Sequence, residues 1–227
     1  LEVISVAILR EKDVKVIKEM FDKEMEDEVK IVFFKAEDET RCQYCELTKQ
    51  VLEELASIDP RIALEVKDID EDKEEVEKYS VEMVPATIIL TKDGKDLGVR
   101  FYGIPSGHEF PTLLQTIMVF SKGAKPSLSQ DSIERLSEIK EPLRISVFIT
   151  PTCPYCPRAV SMAHNIALAN ENIVSEMIEA NEFFDLSEDF GVSSVPHIVI
   201  DRDPNRFFIG AYPEKEFVEQ VLRLAKG

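Results

Sequence analysis

The sequence predicts an α/β protein made of one unit used twice in tandem, each copy a central mixed β-sheet flanked by α-helices. Three observations carry this. Two Cys-x-x-Cys motifs, Cys42-Gln43-Tyr44-Cys45 and Cys153-Pro154-Tyr155-Cys156, have first cysteines that each stand 43 residues ahead of a proline preceded by valine, Pro85 and Pro196. Apolar residues flank these landmarks in the same order in both halves. Hydrophobic residues make up 44% of the 227 positions, enough to build cores rather than a disordered chain.

The match between the halves extends well past the cysteines. Tyr79, Val81 and Val84 ahead of the first proline correspond to Phe190, Val192 and Val195 ahead of the second. Ile88-Ile89 corresponds to Val199-Ile200, and Phe101-Tyr102-Gly103 to the Phe207–Gly210 run. A shared gap with matching residues on both sides indicates internal duplication.

Element by element, residues 11–25 read as a leading helix with Val14, Ile17, Met20 and Phe21 on one stripe. Residues 29–35 read as a buried strand and 43–57 as a helix with Leu47, Val51, Leu52 and Leu55 on one side. A strand at 62–69 and a helix at 73–79 follow. Strands at 86–91 and 96–102 form a hairpin for which Asp93-Gly94 supplies a two-residue turn. A closing helix spans 108–120. The second copy repeats this order, with a leading helix at 129–139, strand 143–149, helix 155–170, strand 173–179, helix 183–190, hairpin 197–209 and helix 213–225. The stretch Lys122-Gly123-Ala124-Lys125-Pro126-Ser127 is the natural boundary. It divides the chain into a unit at 1–122 with Cys-Gln-Tyr-Cys and a unit at 123–227 with Cys-Pro-Tyr-Cys. The connection is short, so the units are expected to touch.

Charge narrows the function classes. Formal net charge is −17, which argues against nucleic acid and against an anionic membrane surface as partners. No apolar run reaches the length of a membrane span. Leu1–Leu9 is fairly apolar, but Glu2 interrupts it and no basic segment precedes it, so it does not read as a secretory signal and a cytoplasmic setting is expected. All four cysteines belong to the two motifs, which leaves none for a structural staple and points to redox chemistry or metal binding.

A Cys-x-x-Cys between a buried strand and a helix puts its first sulfur at the helix N-terminus. Unpaired N–H groups and the helix dipole stabilise a thiolate there and lower the thiol pKa below about 8.5. The thiolate is the attacking species in disulfide exchange. Cys42 and Cys153 are therefore the expected nucleophiles. Cys45 and Cys156, three residues on, are the expected resolving thiols. Pro154 suits the first helical position, whereas Pro157 is expected to disturb the first turn. A cis bond at Val84-Pro85 and Val195-Pro196 would turn the chain sharply beside the cysteines and offer backbone to an extended substrate.

These residues carry a resemblance. Cys-Pro-Tyr-Cys resembles the glutaredoxin motif, and Cys-Gln-Tyr-Cys is a variant of it. With Val-Pro at the same distance in both halves, nearly the whole chain resembles the two-unit protein disulfide oxidoreductases of thermophilic archaea and bacteria, relatives of protein disulfide isomerase and thioredoxin. The resemblance implies a thioredoxin fold in each half. It implies oxidation, reduction and isomerisation of protein disulfides, with protein thiols and disulfides as substrates and a thioredoxin-reductase-like electron donor. Gln43, Tyr44, Val84 and Pro85, and Pro154, Tyr155, Val195 and Pro196, are then the residues expected to meet substrate. Two departures stand out. The buried acid that thioredoxin carries in the strand before its motif is missing from both strands, so another carboxylate or water must take the resolving cysteine's proton. Residues through which glutaredoxins bind glutathione find no match, so no cofactor is expected.

The two centres are not expected to be equivalent. Glu37-Asp38-Glu39-Thr40-Arg41 leads to Cys42, and Thr150-Pro151-Thr152 leads to Cys153. Nearby carboxylates disfavour a thiolate, so Cys153 is expected to have the lower pKa and its centre the more oxidising potential. His197, next to Pro196, is expected to point to solvent, and His108 and His164 to lie at the surface. Two rival readings remain. A four-sulfur zinc site is disfavoured because the motifs are 108 positions apart, against a usual spacing of roughly 15–20 residues. A redox-inert peptide-binding or chaperone module is disfavoured by intact cysteines in both halves.

Overall fold

A computed structural model describes residues 7–38 and 40–226. The start of the apolar N-terminal segment, Glu39 in the acidic approach to Cys42, and Gly227 lie outside the described residues. The first half runs α1 (Glu11–Glu24), β1 (Val29–Lys35), α2 (Cys45–Ile58), β2 (Ile62–Asp68), α3 (Lys73–Tyr79), β3 (Ala86–Leu90), β4 (Asp96–Tyr102) and, after a 3-10 turn at Gly107–Glu109, α4 (Phe110–Ser121). The second half runs α5 (Gln130–Leu136), β5 (Leu143–Ile149), α6 (Cys156–Ala169), β6 (Ile173–Glu179), α7 (Phe184–Asp189), β7 (His197–Ile200), β8 (Phe207–Ile209) and α8 (Glu214–Ala225).

Among the described residues the strands form one continuous sheet in the order β2-β1-β3-β4-β6-β5-β7-β8. Each half contributes four neighbouring strands with the same internal order, so the copies are related by translation along the sheet. They join where β4 and β6 pair in parallel, Val99 opposite Ser175 through Tyr102 opposite Ile178. Gly98 permits this junction: its φ is +77°, and a Cβ there would run into the backbone oxygen of Ile173. Strands β3 and β7 alone run antiparallel to the rest. The C-terminal ends of β1 and β5, where the two cysteine loops begin, therefore emerge at the same edge of the sheet.

Strand residues alternate between two cores. On one face Ile31, Phe33, Phe101, Ile145 and Met177 pack with apolar stripes from α1, α2, α4, α6 and α8, including Phe21, Leu52, Leu55, Ile117, Val160 and Val221. On the other, Val32, Phe34, Ile88, Phe148 and Ile178 pack with residues of and around the short helices α3 and α7. The stripe expected on α2 holds at Val51, Leu52 and Leu55, but Leu47 is exposed and Thr48 is buried in its place; an offset of one position rotates a helical residue by about 100°. The first hairpin also differs from expectation. Gly94 N–H donates to Thr91 O at 2.8 Å and Thr91 N–H to Lys95 O at 3.1 Å. The turn is thus centred on Lys92-Asp93, with Gly94 following at φ +74°, a three-residue loop closed by a left-handed glycine.

Candidate active site

Both motifs lie between a buried strand and a helix, and each pair forms a disulfide, with Cα–Cα distances of 5.4 Å for Cys42–Cys45 and 5.6 Å for Cys153–Cys156. The helices start later than expected, at the second cysteine. Cys42 and Cys153 sit in the turn just ahead. Pro154 accordingly precedes the helix, and Pro157 occupies its first turn, where the early N–H groups have no intrahelical partner and a proline removes nothing. No irregularity results, and α6 continues to Ala169. The electrostatic consequence is retained at the second centre, where the Cys156 N–H points at Cys153 Sγ at 3.1 Å. In the first, the Cys45 N–H instead donates to Cys42 O at 3.5 Å.

Val84-Pro85 and Val195-Pro196 are both cis. Each proline carbonyl accepts a bond at 2.9 Å from the glycine of the neighbouring strand end, Gly103 N to Pro85 O and Gly210 N to Pro196 O. Val195 O lies 3.8 Å from Cys153 Sγ, so the residue before the cis proline reaches the first sulfur of the second motif. Gln43, Pro154 and Tyr155 are exposed at the motif tips, Tyr44 is half-buried, and all four cysteines are buried.

A thioredoxin-domain family model matches residues 28–115 and 143–223, one segment for each copy. The chain belongs to the thioredoxin-domain family. Across 98% of its length it superposes on a protein disulfide oxidoreductase from Aeropyrum pernix with a TM-score of 0.86 and 30% identity, covering 96% of that chain. A structure of the alkylhydroperoxide reductase protein AhpF from Enterococcus faecalis matches with a TM-score of 0.82 and 25% identity, over 93% of this chain and 98% of that one. The like-named subunit of the Staphylococcus aureus alkyl hydroperoxide reductase is 29% identical over 153 residues, 67% of this chain. The chain spans 27% of the length of that relative. Each copy is a thioredoxin-like fold with its own Cys-x-x-Cys centre. Three strands separate β1 from β5, which puts the two thioredoxin-fold centres about 19 Å apart along the sheet edge, too far for one four-sulfur ion site.

The surroundings of the two thioredoxin-fold centres differ. Around the first, Arg41 is ion-paired with Asp70, and Lys35 is paired with Glu37 and Glu46. Asp38 accepts bonds from the Thr40 hydroxyl and N–H, which hold its pKa below the usual carboxylate range. At the second, Arg158 is exposed in the first turn of α6, and a buried acid is contributed from across the unit junction. Glu109, contributed by the first unit, lies in the turn that packs against α6. The adjacent His108 N–H donates to Pro151 O at 2.9 Å, two residues ahead of Cys153. Glu109 is fully buried, and burial pushes its pKa up to about 7 against the opposing pull of the Thr112 side chain. Glu182 reaches about 7 for the same reason, opposed by the Ile104 N–H it accepts at 2.5 Å. Sequence reasoning missed Glu109; its one signal is an acid directly ahead of the uncharged helix Phe110–Ser121.

Two histidines correct the sequence reading. His197 is buried rather than facing solvent. Its ring stacks on Phe207 at 4.7 Å, its nitrogens have no partner among the described residues, and burial lowers its pKa. His164 is buried on α6 at the junction of the units, bonded through Nδ1 to Ser175 Oγ at 2.9 Å, and desolvation lowers its pKa to about 3. Its hydrogen-bond partner Ser175 and ring neighbour Phe101 belong to β6 and β4, an environment formed only when the units join. His108 is exposed, as expected.

Proposed function

We propose that the chain is a thiol–disulfide oxidoreductase and that both its centres exchange disulfides with protein substrates, with Cys42 and Cys153 attacking and Cys45 and Cys156 resolving. Support comes from one arrangement above all: Cys153 Sγ, the Cys156 N–H at 3.1 Å and Val195 O at 3.8 Å converge beside an exposed motif tip. In the reducing direction the Cys153 thiolate attacks a substrate sulfur and the partner sulfur leaves as thiolate. Cys156 then gives up its proton, attacks Cys153 Sγ and releases the second substrate sulfur. One substrate disulfide becomes two thiols as the enzyme dithiol becomes a disulfide, and the reverse sequence oxidises a substrate dithiol.

Glu109 is the proposed acceptor of the Cys156 proton, the carboxylate that neither motif strand supplies. A pKa near 7 suits a group that both takes and returns a proton at neutral pH. Val84, Pro85, Val195 and Pro196 with Gln43, Tyr44, Pro154 and Tyr155 form the proposed substrate-binding surfaces. The boundary between the proposed units falls at 122–123, a thioredoxin-reductase-like protein is the proposed electron donor, and the cytoplasm is the proposed setting. Among the described residues no helix is long and apolar enough to cross a membrane.

Dithiothreitol-driven reduction of insulin tests this. Each single-centre protein (Cys42→Ser with Cys45→Ser, or Cys153→Ser with Cys156→Ser) should retain activity, and the all-serine protein should fall to the uncatalysed rate. A wild type no faster than the all-serine protein would leave only a peptide-binding role.

A further inference from the structure

The face of the sheet that carries α3 and α7 is covered only at its two ends. Between those helices, over β4, β6 and the start of β5, lies an open cavity of about 740 Å³, within the range of small-molecule sites. Its floor is unusual for a buried sheet. Glu176 in the middle of β6 is 1% exposed, accepts from Ser146 Oγ at 2.8 Å, and pairs with Arg144 at 3.2 Å and Arg202 at 3.0 Å. Two guanidinium groups thus meet one buried carboxylate and retain one positive charge between them.

That charge is met by Glu82, from the other unit. One carboxylate oxygen of Glu82 lies 3.0 Å from Arg144 and the other 3.1 Å from Arg202. Its side chain is 49% exposed while the two arginines are 24% and 19% exposed. The arginines are also anchored to the buried Glu176, whereas Glu82 is bound only from its half-exposed side. Arg202 is fixed further by its backbone, since Asp201 and Arg202 occupy the left-handed region at φ 51° and 54°, which non-glycine residues rarely adopt in succession. The remaining carboxylates of the cavity have their own partners, Asp96 with Arg100 and Asp201 with Arg206. Tyr102 lies fully buried beneath the cavity. Tyr79 and Phe190 line the opposite ends with aromatic surface.

We propose that this cavity binds a small organic anion with a carboxylate or phosphate head and a flat apolar body, and that the head takes the place Glu82 now fills between Arg144 and Arg202. The two arginines present N–H groups to two oxygens of one head, the geometry in which guanidinium groups recognise oxyanions. Tyr79 and Phe190 offer aromatic surface to the body. Glu82 acts as an internal stand-in that an anion displaces into solvent. It stands three residues before the cis proline Pro85, so the occupied and empty states differ beside that turn.

Calorimetric titration of the full oxidised chain with inorganic phosphate, phenyl phosphate and benzoate, at ionic strength matched with sodium chloride, tests the site. Saturable binding of an aromatic anion, tighter than inorganic phosphate, is expected; the better of phenyl phosphate and benzoate identifies the head. Glu82→Gln removes the competitor and should tighten binding about tenfold, the scale of one charged hydrogen-bonded pair. Arg202→Gln should weaken it by a similar factor. Absence of saturable binding in both the wild type and Glu82→Gln overturns the proposal, as does binding that Arg202→Gln leaves intact. Should Arg202→Gln fail to fold by circular dichroism, the Glu82→Gln comparison alone decides: a gain supports the site and no gain refutes it.

Discussion

The two redox centres share a fold, a spacing and a sheet edge, yet they are set in opposite electrostatic surroundings. The first is self-contained and charged at its rim. Its cysteines pack into the core beneath α3, its flanking charges are tied in surface pairs, and its Arg41 is occupied by Asp70. The second belongs to both units. Its cysteines pack into the larger core, its loop is bonded by the first unit at Pro151, and its neighbouring acid Glu109 comes from the end of that unit. The difference follows from the junction of the units, where the closing turn of the first unit reaches the second centre. Duplication copied the cysteines, but not what packs around them.

The largest effect that can break this comparison is expected from Glu109→Gln. Loss of a proton acceptor should slow reduction of insulin at the second centre by roughly 10²-fold, measured with Cys42 and Cys45 replaced by serine, and should remove an inflection near pH 7 from its rate profile. The first centre, measured with the other pair replaced, should be unaffected. An equal loss at both centres would mean that the substitution acts on the fold. Stability supplies an independent check with a definite sign. The folded-state pKa of Glu109 is raised to about 7 from the ordinary 4.5. Its contribution is therefore fully present below pH 4.5 and is lost as pH rises through 7, when a buried carboxylate must ionise. Stability of the wild type should fall between pH 5 and pH 8 in chemical denaturation, and Glu109→Gln should flatten part of that fall.

Next in size is the contact that lets one unit serve the other. Gly107 has φ +57°, and a Cβ there would run into the backbone oxygen of Pro151. Gly107→Ala should cost about 1–3 kcal/mol in denaturant unfolding and should slow the second centre selectively. A variant of normal stability and normal second-centre rate would show that this turn does not hold the Cys153 loop.

The ranking of the thiols is a finer test. At the second centre the Cys156 N–H is aimed at Cys153 Sγ, whereas at the first the corresponding N–H goes to a carbonyl oxygen. Cys153 should titrate below Cys42. The pH dependence of iodoacetamide alkylation in the two single-centre proteins measures the gap, and the reverse order would refute the electrostatic contrast.

What was legible in the sequence was the part written in local chemistry. Cysteines, X-Pro pairs and hydrophobic periodicity each act over a few residues, so both strand–motif–helix units and the strands up to their ends could be read directly. Glu109 could not, because the helix its turn packs against begins 47 positions later, across the joined β4–β6 edge. His164 and His197 were misread for the same reason. One lies under the junction and the other under Phe207, and a lone histidine in a strand or helix pattern does not announce what packs over it. The charged cavity floor left a trace that alternation makes readable: Arg144 and Ser146 on β5 and Glu176 on β6 are polar positions in strands otherwise buried.

The smallest expected effect separates the motif tips. Tyr155 is 70% exposed, whereas its counterpart Tyr44 is half-buried. An exposed ring beside the nucleophile can lie against a protein substrate without moving, while a half-buried one already spends part of its surface on its own unit. Tyr155→Ala should therefore raise the KM for insulin at the second centre a few-fold, about 0.5–1 kcal/mol, with kcat nearly unchanged. Tyr44→Ala should change KM less at the first centre and lower stability more, because the ring it removes also packs. Equal KM effects from the two substitutions would mean that substrate meets both tips alike, and that the contrast between the centres lies in their thiols and proton carriers rather than in what they grip.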